Sequence, residues 1–375
     1  MSFNEALTQW LPADLPAEGI GEPETLERFR ELMQGYSTDL AAPTAFAHMD
    51  PPPAEIAAEL VGLNARYNQN LLHPDVSPFA SAAEVFLLNW LAPEFGMKTG
   101  HLCAGSTLSN LTALWCAREH GATRVVASSE AHLSIEKSAR ILGLPLVTVG
   151  VDSAGRLLRS ELPDLGEAAL VLTAGTTARG VIDELSGHDA LWTHVDAAWA
   201  GPLMFSRFAD RLKGIEHADS VAISGHKWFY QPKDSALIMF AEVKATDCIS
   251  TGGHYLATAN VGIQGSRSAA AIPLLATLVA WGRQGLARKL EHSMAASERL
   301  AHYIDDHPDL VLRQWPESGV LNWRAINVSA SQLNARLGTA CSLVVTDDEQ
   351  WVRQVAANPH ADVDQLVSLI EVALS

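Results

Sequence analysis

Cysteine is scarce. Four occur in 375 residues, Cys103, Cys116, Cys248 and Cys341, and none belongs to a CxxC pair. That usage points away from a disulfide framework or a zinc module and fits a reducing cytoplasm. Long hydrophobic runs are also lacking. The longest mostly apolar stretch, Ser268 to Trp281, has 14 residues and contains Pro273, short of the roughly 20 residues that span a bilayer. The opening residues, MSFNEALTQWLPADLPAEG, show no basic segment followed by an apolar one, so no secretory leader is expected. Positive charge is in the minority. Against 43 Asp and Glu stand 26 Lys and Arg, a formal charge of −17, which repels nucleic acid and anionic lipid. There is no GxGxxG, no Walker A loop, no internal repeat and no low-complexity tract, so neither a dinucleotide nor an NTP site is indicated.

What is present is apolar material, 48% of the chain, enough to build a large core and to exclude a disordered chain. Residues 1–50 read as an N-terminal arm with one helix near Glu24–Gln34, striped by Leu26, Phe29, Leu32 and Met33. After Asp50-Pro51-Pro52-Pro53, helices are expected near 54–67 and at Glu84–Leu91. From about residue 100 short apolar runs read as strands: Arg124–Ala127, Leu146–Val149, Ala169–Thr173, Leu191–Val195, Ser220–Ser224 and Ala236–Phe240. Helical patterns fall between several of them, which argues a mostly parallel sheet covered on both faces, an α/β fold. A long helix from about 269 to 305, kinked near Gly282, leads to a smaller α+β domain with strands at Val320–Trp323 and Leu343–Val345 and a last helix at 362–374. The expected domains are therefore 1–50, 51–285 and 286–375.

Five segments carry candidate chemistry. In His194-Val-Asp-Ala-Ala-Trp-Ala-Gly-Pro202 an apolar strand ends in Asp196, at the sheet edge where ligands bind in open α/β folds; a helix-capping Asp is the structural alternative. In Ser220-Val-Ala-Ile-Ser-Gly-His-Lys-Trp228 a buried strand leads directly to His226 and Lys227. Desolvation there lowers a lysine pKa and frees the amine as a nucleophile toward a carbonyl; a snorkelling lysine is the alternative. Cys103-Ala-Gly-Ser-Thr-Leu-Ser-Asn110 is a small-residue turn opening an amphipathic helix, with Ser106 and Thr107 either an anion cradle or plain caps. Ser129-Glu-Ala-His132 places an imidazole on a strand-to-helix turn, where capping is the commoner role. Thr173-Ala-Gly-Thr-Thr177 ends a strand in two hydroxyls.

Taken together, an anion cradle, a flat imidazole, a carboxylate and a buried lysine at the ends of one sheet are what pyridoxal phosphate requires. Its aldehyde condenses with an amine, its phosphate needs N–H and O–H donors, and its ring nitrogen needs a carboxylate. Asn70-Leu-Leu-His-Pro-Asp-Val-Ser-Pro78, the Gly105–Asn110 turn, AHLSIEK (131–137), TAGTTARGVID (173–183), HVDAAWAG and SGHKW occur in that order. The chain thereby resembles the group II pyridoxal-phosphate-dependent amino-acid decarboxylases, from about Pro51 to Gly285. The resemblance implies the aminotransferase-like fold (fold type I), with a mostly parallel seven-stranded sheet. It implies a homodimer with active sites at the subunit interface, where Gly265-Ser-Arg267 approaches the partner's cofactor, and decarboxylation of an L-amino acid to amine and carbon dioxide. It gives Lys227 the Schiff base and a later proton transfer, Asp196 the ring nitrogen, and His132 and Ala198 the two ring faces. Ser106, Thr107 and Ser224 fall to the phosphate, Thr176 to the cofactor's polar edge, and His226 to a place beside phosphate and substrate. No metal is expected.

Family members are commonly longer and carry a reprotonating tyrosine on a mobile loop; here the stretch between Tyr255 and Gly265 is short. His73, Phe79 and Trp199 are expected to line or approach the pocket, and Arg353 is a candidate partner for a substrate carboxylate, a surface arginine being the alternative. Another pyridoxal reaction (transamination, lyase or aldehyde-forming chemistry) is the competing activity, and an inactive binding scaffold a further one. A serine-hydrolase pattern, Ser134-Ile-Glu-Lys137 with Lys98-Thr-Gly100, runs in the wrong order and lacks an SDN.

Overall fold

The computed structural model describes residues 7, 11, 14–253 and 260–375. Residues 1–40 form one compact unit, in which helix α1 (Glu22–Tyr36) leaves Leu26, Phe29 and Met33 exposed. Residues 41–375 form a second unit. Phe46 and Met49, within the stretch expected as an arm, are buried in cores of that second unit.

The second unit opens with α2 (Glu55–Tyr67) and α3 (Pro78–Leu91). Then come β1 (Thr99–Cys103), α4 (Ser106–Glu119), β2 (Arg124–Ser128), α5 (Leu133–Leu142) and β3 (Leu146–Val149). Next are β4 (Ala168–Thr173), β5 (Trp192–Asp196), β6 (Ser220–Ser224) and β7 (Ala236–Phe240). They make one seven-stranded sheet in the order β1-β7-β6-β5-β4-β2-β3, parallel except that β7 runs against both its neighbours. The fold is the α/β, aminotransferase-like one.

Alternate residues of each strand feed opposite faces, as the two-residue period requires. Val126, Leu170, Leu172 and Val195 enter one apolar cluster, while Val125, Ala127, Ala169 and Val171 enter the other. Because both faces are covered, β4, β5, β6 and β7 are buried along their whole length, which is why their sequences are near-continuous apolar runs. Helix α4 is also buried nearly all round, more deeply than an amphipathic surface helix.

Strand β1 escapes the sequence pattern because Gly100 interrupts it. A Cβ at Gly100 would lie 2.3 Å from the Ile238 carbonyl oxygen on β7, so only glycine lets the two strands close.

A short ribbon, β8 (Ser250–Thr251) with β9 (Asn260–Val261), precedes helix α6 (Ala271–Asp306). Its backbone leaves helical geometry at Gly282 (φ 60, ψ 177), which is the expected kink. The remainder is β10 (Leu310–Leu312), β11 (Val320–Ala325), α7 (Ala330–Leu337), β12 (Ser342–Thr346), β13 (Glu349–Val355) and α8 (Val363–Leu374). The four strands form an antiparallel sheet, β10-β11-β13-β12, around Trp323, Leu333, Leu366 and Ile370.

Candidate active site

Strands β1, β2, β4, β5 and β6 all point the same way, so their carboxyl ends deliver the singled-out segments to one edge of the sheet. A cavity opens there. Its lining includes Ser106, Thr107, His132, Asp196, Ala198, Trp199, His226 and Lys227, with Thr173, Gly175 and Thr177.

The cradle begins at Gly105, whose φ of 119° a side chain would strain. Ser106 and Thr107 are the first residues of α4, where backbone N–H groups have no partner within the helix. The Ser106 hydroxyl pairs with the Ser224 hydroxyl at the end of β6, which is itself fully buried.

Asp196 is held from two sides. Its Oδ1 accepts from Ala198 N–H at 3.1 Å, and its Oδ2 accepts from Asn110 Nδ2 at 2.8 Å. Asn110 is the centre of a buried relay in which every donor has a direction. Trp192 Nε1 donates to the Ser220 hydroxyl at 2.9 Å, which donates to His194 Nδ1 at 2.9 Å. His194 Nε2 must then carry the proton it gives to Asn110 Oδ1 at 3.0 Å, since that oxygen only accepts. Burial drives the His194 pKa down to about 4, so the ring is neutral and this tautomer is fixed. The second Asn110 hydrogen goes to Ser134 Oγ at 2.8 Å, and Ser134 donates to His132 Nδ1, also at 2.8 Å. His132 Nδ1 accepts from Ser134 N–H too, at 3.2 Å. His132 is therefore both the cap of α5 and a cavity residue. With Nδ1 engaged as acceptor, its proton sits on Nε2. Burial, opposed by the Asp196 charge, holds His132 below the usual histidine pKa.

Lys227 is half-buried beyond β6, and desolvation, against the attraction of Asp196 and Asp50, lowers its pKa. His226 is pushed down to about 4 by burial and by the neighbouring Lys233 and Lys227 charges. Its Nδ1, like the Thr173 hydroxyl, is a buried polar atom with no protein partner.

Thr176 and Phe79 lie elsewhere than expected, while Trp199 lines the cavity as expected. Thr176 is fully buried and turned aside, its hydroxyl accepting from Val181 N–H at 3.3 Å, and Thr177 lines the cavity in its place. Trp199 stacks on Trp228 at 4.1 Å between ring centroids. Phe79 lies in a separate apolar hollow with Leu63, Tyr67 and Ile272, and the His73 carbonyl accepts from Ser77 before α3. Arg267 forms a two-bond ion pair with Glu84 of the same chain. Tyr255 lies outside the described residues. Arg353, on β13, is no surface arginine: it is buried, with Nε donating to Thr177 O at 2.8 Å and Nη1 to Ala47 O at 3.1 Å. Burial lowers its pKa to about 10, and its charge is felt at Lys227.

Asn110, Ser134 and His194 stand in the quoted segments, but their role in fixing Asp196 and His132 was not foreseen. Their signal was polarity at core-facing positions, legible only once α4 and β5 are known to be buried.

The model of the pyridoxal-dependent decarboxylase conserved domain matches residues 5–324. The chain belongs to that family. An L-2,4-diaminobutyrate decarboxylase of Rhizobium meliloti is 32% identical over 76% of this chain and 66% of the relative, so the chain spans just under two thirds of that enzyme. One from Acinetobacter baumannii is 26% identical over 96% of this chain and 84% of its own length. Among solved structures, mouse CSAD superposes with a TM-score of 0.86 at 23% identity, covering 98% of this chain and 91% of that one. Oryza sativa TDC, solved with PLP and tryptamine, gives 0.87 at 17% identity over 98% and 90%.

The family's cofactor is pyridoxal phosphate, and the cavity fits it. The start of α4 with Ser106 and Thr107 suits a phosphate, the fixed Asp196 carboxylate suits a ring N–H, and Lys227 suits an aldehyde. Thr173 Oγ1 and His226 Nδ1 are buried polar atoms in want of a partner.

Proposed function

We propose that this chain decarboxylates an L-amino acid, giving the amine and carbon dioxide, with pyridoxal phosphate held in the strand-end cavity. The observation that carries it is the convergence of Lys227, Asp196 and His132 on that one cavity, Asp196 buried and the other two half-buried, with the carboxylate fixed and the pKa of both bases lowered by desolvation. The cofactor supplies an electron sink for the pair left at Cα when carbon dioxide departs.

The chain's own residues do the rest. Ser106, Thr107 and Ser224 would hold the phosphate, and Asp196, whose two oxygens both accept hydrogen bonds, would favour the protonated ring nitrogen. Lys227, its pKa lowered by desolvation, offers an amine suited to attack a carbonyl and to carry a proton. His132, which lines the cavity with its proton on Nε2, would offer a donor to a substrate carboxylate and a flat face to the ring, Ala198 would meet the other face, and His226 would stand beside phosphate and substrate. Arg353, from the small domain (286–375), adds a positive charge beside the large domain (51–285), placed to draw in the substrate's carboxylate. In balance, the amino acid loses carbon dioxide and gains one proton at Cα.

The same reading includes a cytoplasmic homodimer. Free buried thiols at Cys103 and Cys341 support a reducing compartment, and among the described residues no helix is long and apolar enough to cross a membrane. Helix α3 exposes Phe79, Val85, Phe86 and Trp90, an apolar face of the kind subunits cover.

The test is carbon dioxide release from pooled L-amino acids, 2,4-diaminobutyrate and aspartate among them, by pyridoxal-loaded protein with Lys227→Ala as control. Lysine-dependent release with the matching amine supports the proposal; a keto acid or an aldehyde with ammonia overturns it.

A further inference from the structure

Far from the cavity, three soft or borderline donors converge that the sequence spacing conceals. Cys116 and His120 stand one turn apart near the C-terminal end of α4, and Cys248 comes from the segment Val243–Ile249 that packs against it. His120 Nδ1 lies 3.8 Å from Cys116 Sγ and 3.7 Å from Cys248 Sγ. All three donor atoms fall within 4.8 Å of one another. The two sulfurs approach the same carbonyl, that of Ala245, at 2.8 and 3.3 Å.

Zinc bonds of about 2.3 Å to sulfur and about 2.0–2.1 Å to imidazole nitrogen, set at tetrahedral angles, put donor atoms about 3.5 to 3.8 Å apart. The two sulfur–nitrogen separations already lie at that spacing. We propose that Cys116, His120 and Cys248 form a binding site for one thiophilic divalent metal ion, zinc by its chemistry.

The surroundings agree. On binding, both thiols release their protons to solvent, so two thiolates neutralise the ion's two charges. His120 Nδ1 also lies 2.8 Å from the Cys116 carbonyl oxygen, so coordination exchanges that contact for a metal bond by a small turn of an exposed ring. The fourth position faces solvent, as His120 and Cys248 are exposed. Ten residues of helix, about 15 Å, separate Cys116 from the cradle at Ser106. The site is thus a staple holding the far end of α4 to the chain leading into β8, and it stands or falls independently of the decarboxylase proposal.

The first probe is cobalt(II), titrated into reduced, pyridoxal-loaded protein and read to the red of the cofactor's absorption. Wild type should take up one cobalt per chain with the intense visible bands of tetrahedral thiolate coordination, and zinc should displace it and raise Tm. Cys248→Ser, at an exposed position, should keep its cofactor content yet lose those bands. It should also lose zinc affinity by more than the roughly 10- to 100-fold that an outer-shell change costs. Weak octahedral-type bands in wild type, or tetrahedral bands that persist in Cys248→Ser, would overturn the site. So would a Cys116–Cys248 disulfide whose reduction yields no metal binding.

Discussion

A lysine ammonium moved into a buried strand end loses hydration that the charges of Asp196 and Asp50 do not replace, and Lys227 responds with a lowered pKa. The nucleophile is thus made by its position after β6. Borohydride reduction of cofactor-loaded wild type should fix the cofactor's mass on the peptide containing Lys227. Lys227→Ala should retain none, as mass spectrometry will show; retention elsewhere in the chain would remove Lys227 from its role. Asp196→Ala should keep part of the cofactor while kcat falls by about 10²- to 10³-fold, the range for losing one preorganised electrostatic group; an unchanged kcat would mean another carboxylate serves the ring. His194 acts one step back and on stability. Its pKa stands at about 4 in the fold against an ordinary 6.5, so the unfolded chain binds the proton first. Its contribution is complete above pH 6.5 and is lost as pH falls toward 4, a difference of about 3 kcal/mol. Urea unfolding between pH 7 and 4.5 should show that decline, and His194→Gln, which keeps a donor for Asn110 but does not titrate, should make it shallower, leaving the shares of His226 and His101, whose pKa values burial also lowers.

Single elements carry the site because α4 does two jobs. Its first turn supplies the cradle, and its second presents Asn110 to Asp196, Ser134 and His194 at once. Asn110→Ala would orphan three buried polar groups, each worth about 1–3 kcal/mol. The expected result is a lower Tm together with weaker cofactor retention, since Asp196 and His132 lose their shared restraint; equal cofactor affinity at a lower Tm would make Asn110 merely structural. This level also shows what was legible. Strands buried on both faces announce themselves as apolar runs, and Ser220–Ser224 and Ala236–Phe240 match their expected bounds residue for residue. Strand β1 did not, because Gly100 trades a side chain for closeness to Ile238. Strand β13 did not either, since its Gln354 and Arg353 are buried polar groups satisfied by distant carbonyls and by Trp323 and Ser342. Motif residues at strand ends were visible, but their supporting network was not, because hydrogen bonds across 84 or 86 positions leave no local pattern.

For the whole molecule the unresolved balance is apolar surface. A chain of formal charge −17 repels its own copies at long range, yet α3 presents Phe79 at 66%, Phe86 at 60% and Trp90 at 48% exposure. Val279 of α6 and Tyr67 of α2 are exposed as well. Isolated exposed apolar residues are ordinary; several large ones along a single helix are the pattern of a covered face. Short-range burial of such rings outweighs screened repulsion, because charges separated by more than about 8 Å interact weakly at physiological salt while each buried aromatic contributes about 1.5–3 kcal/mol. Phe86→Glu replaces one ring with a charge that would have to be desolvated in the interface. Light scattering should then report a monomer where wild type gives a dimer, at unchanged Tm for the isolated fold. Carbon dioxide release should fall with dimer content across a dilution series if the partner completes the cavity. A fully active monomer would confine the site to one chain, and a wild-type monomer would leave the α3 face without its proposed occupant.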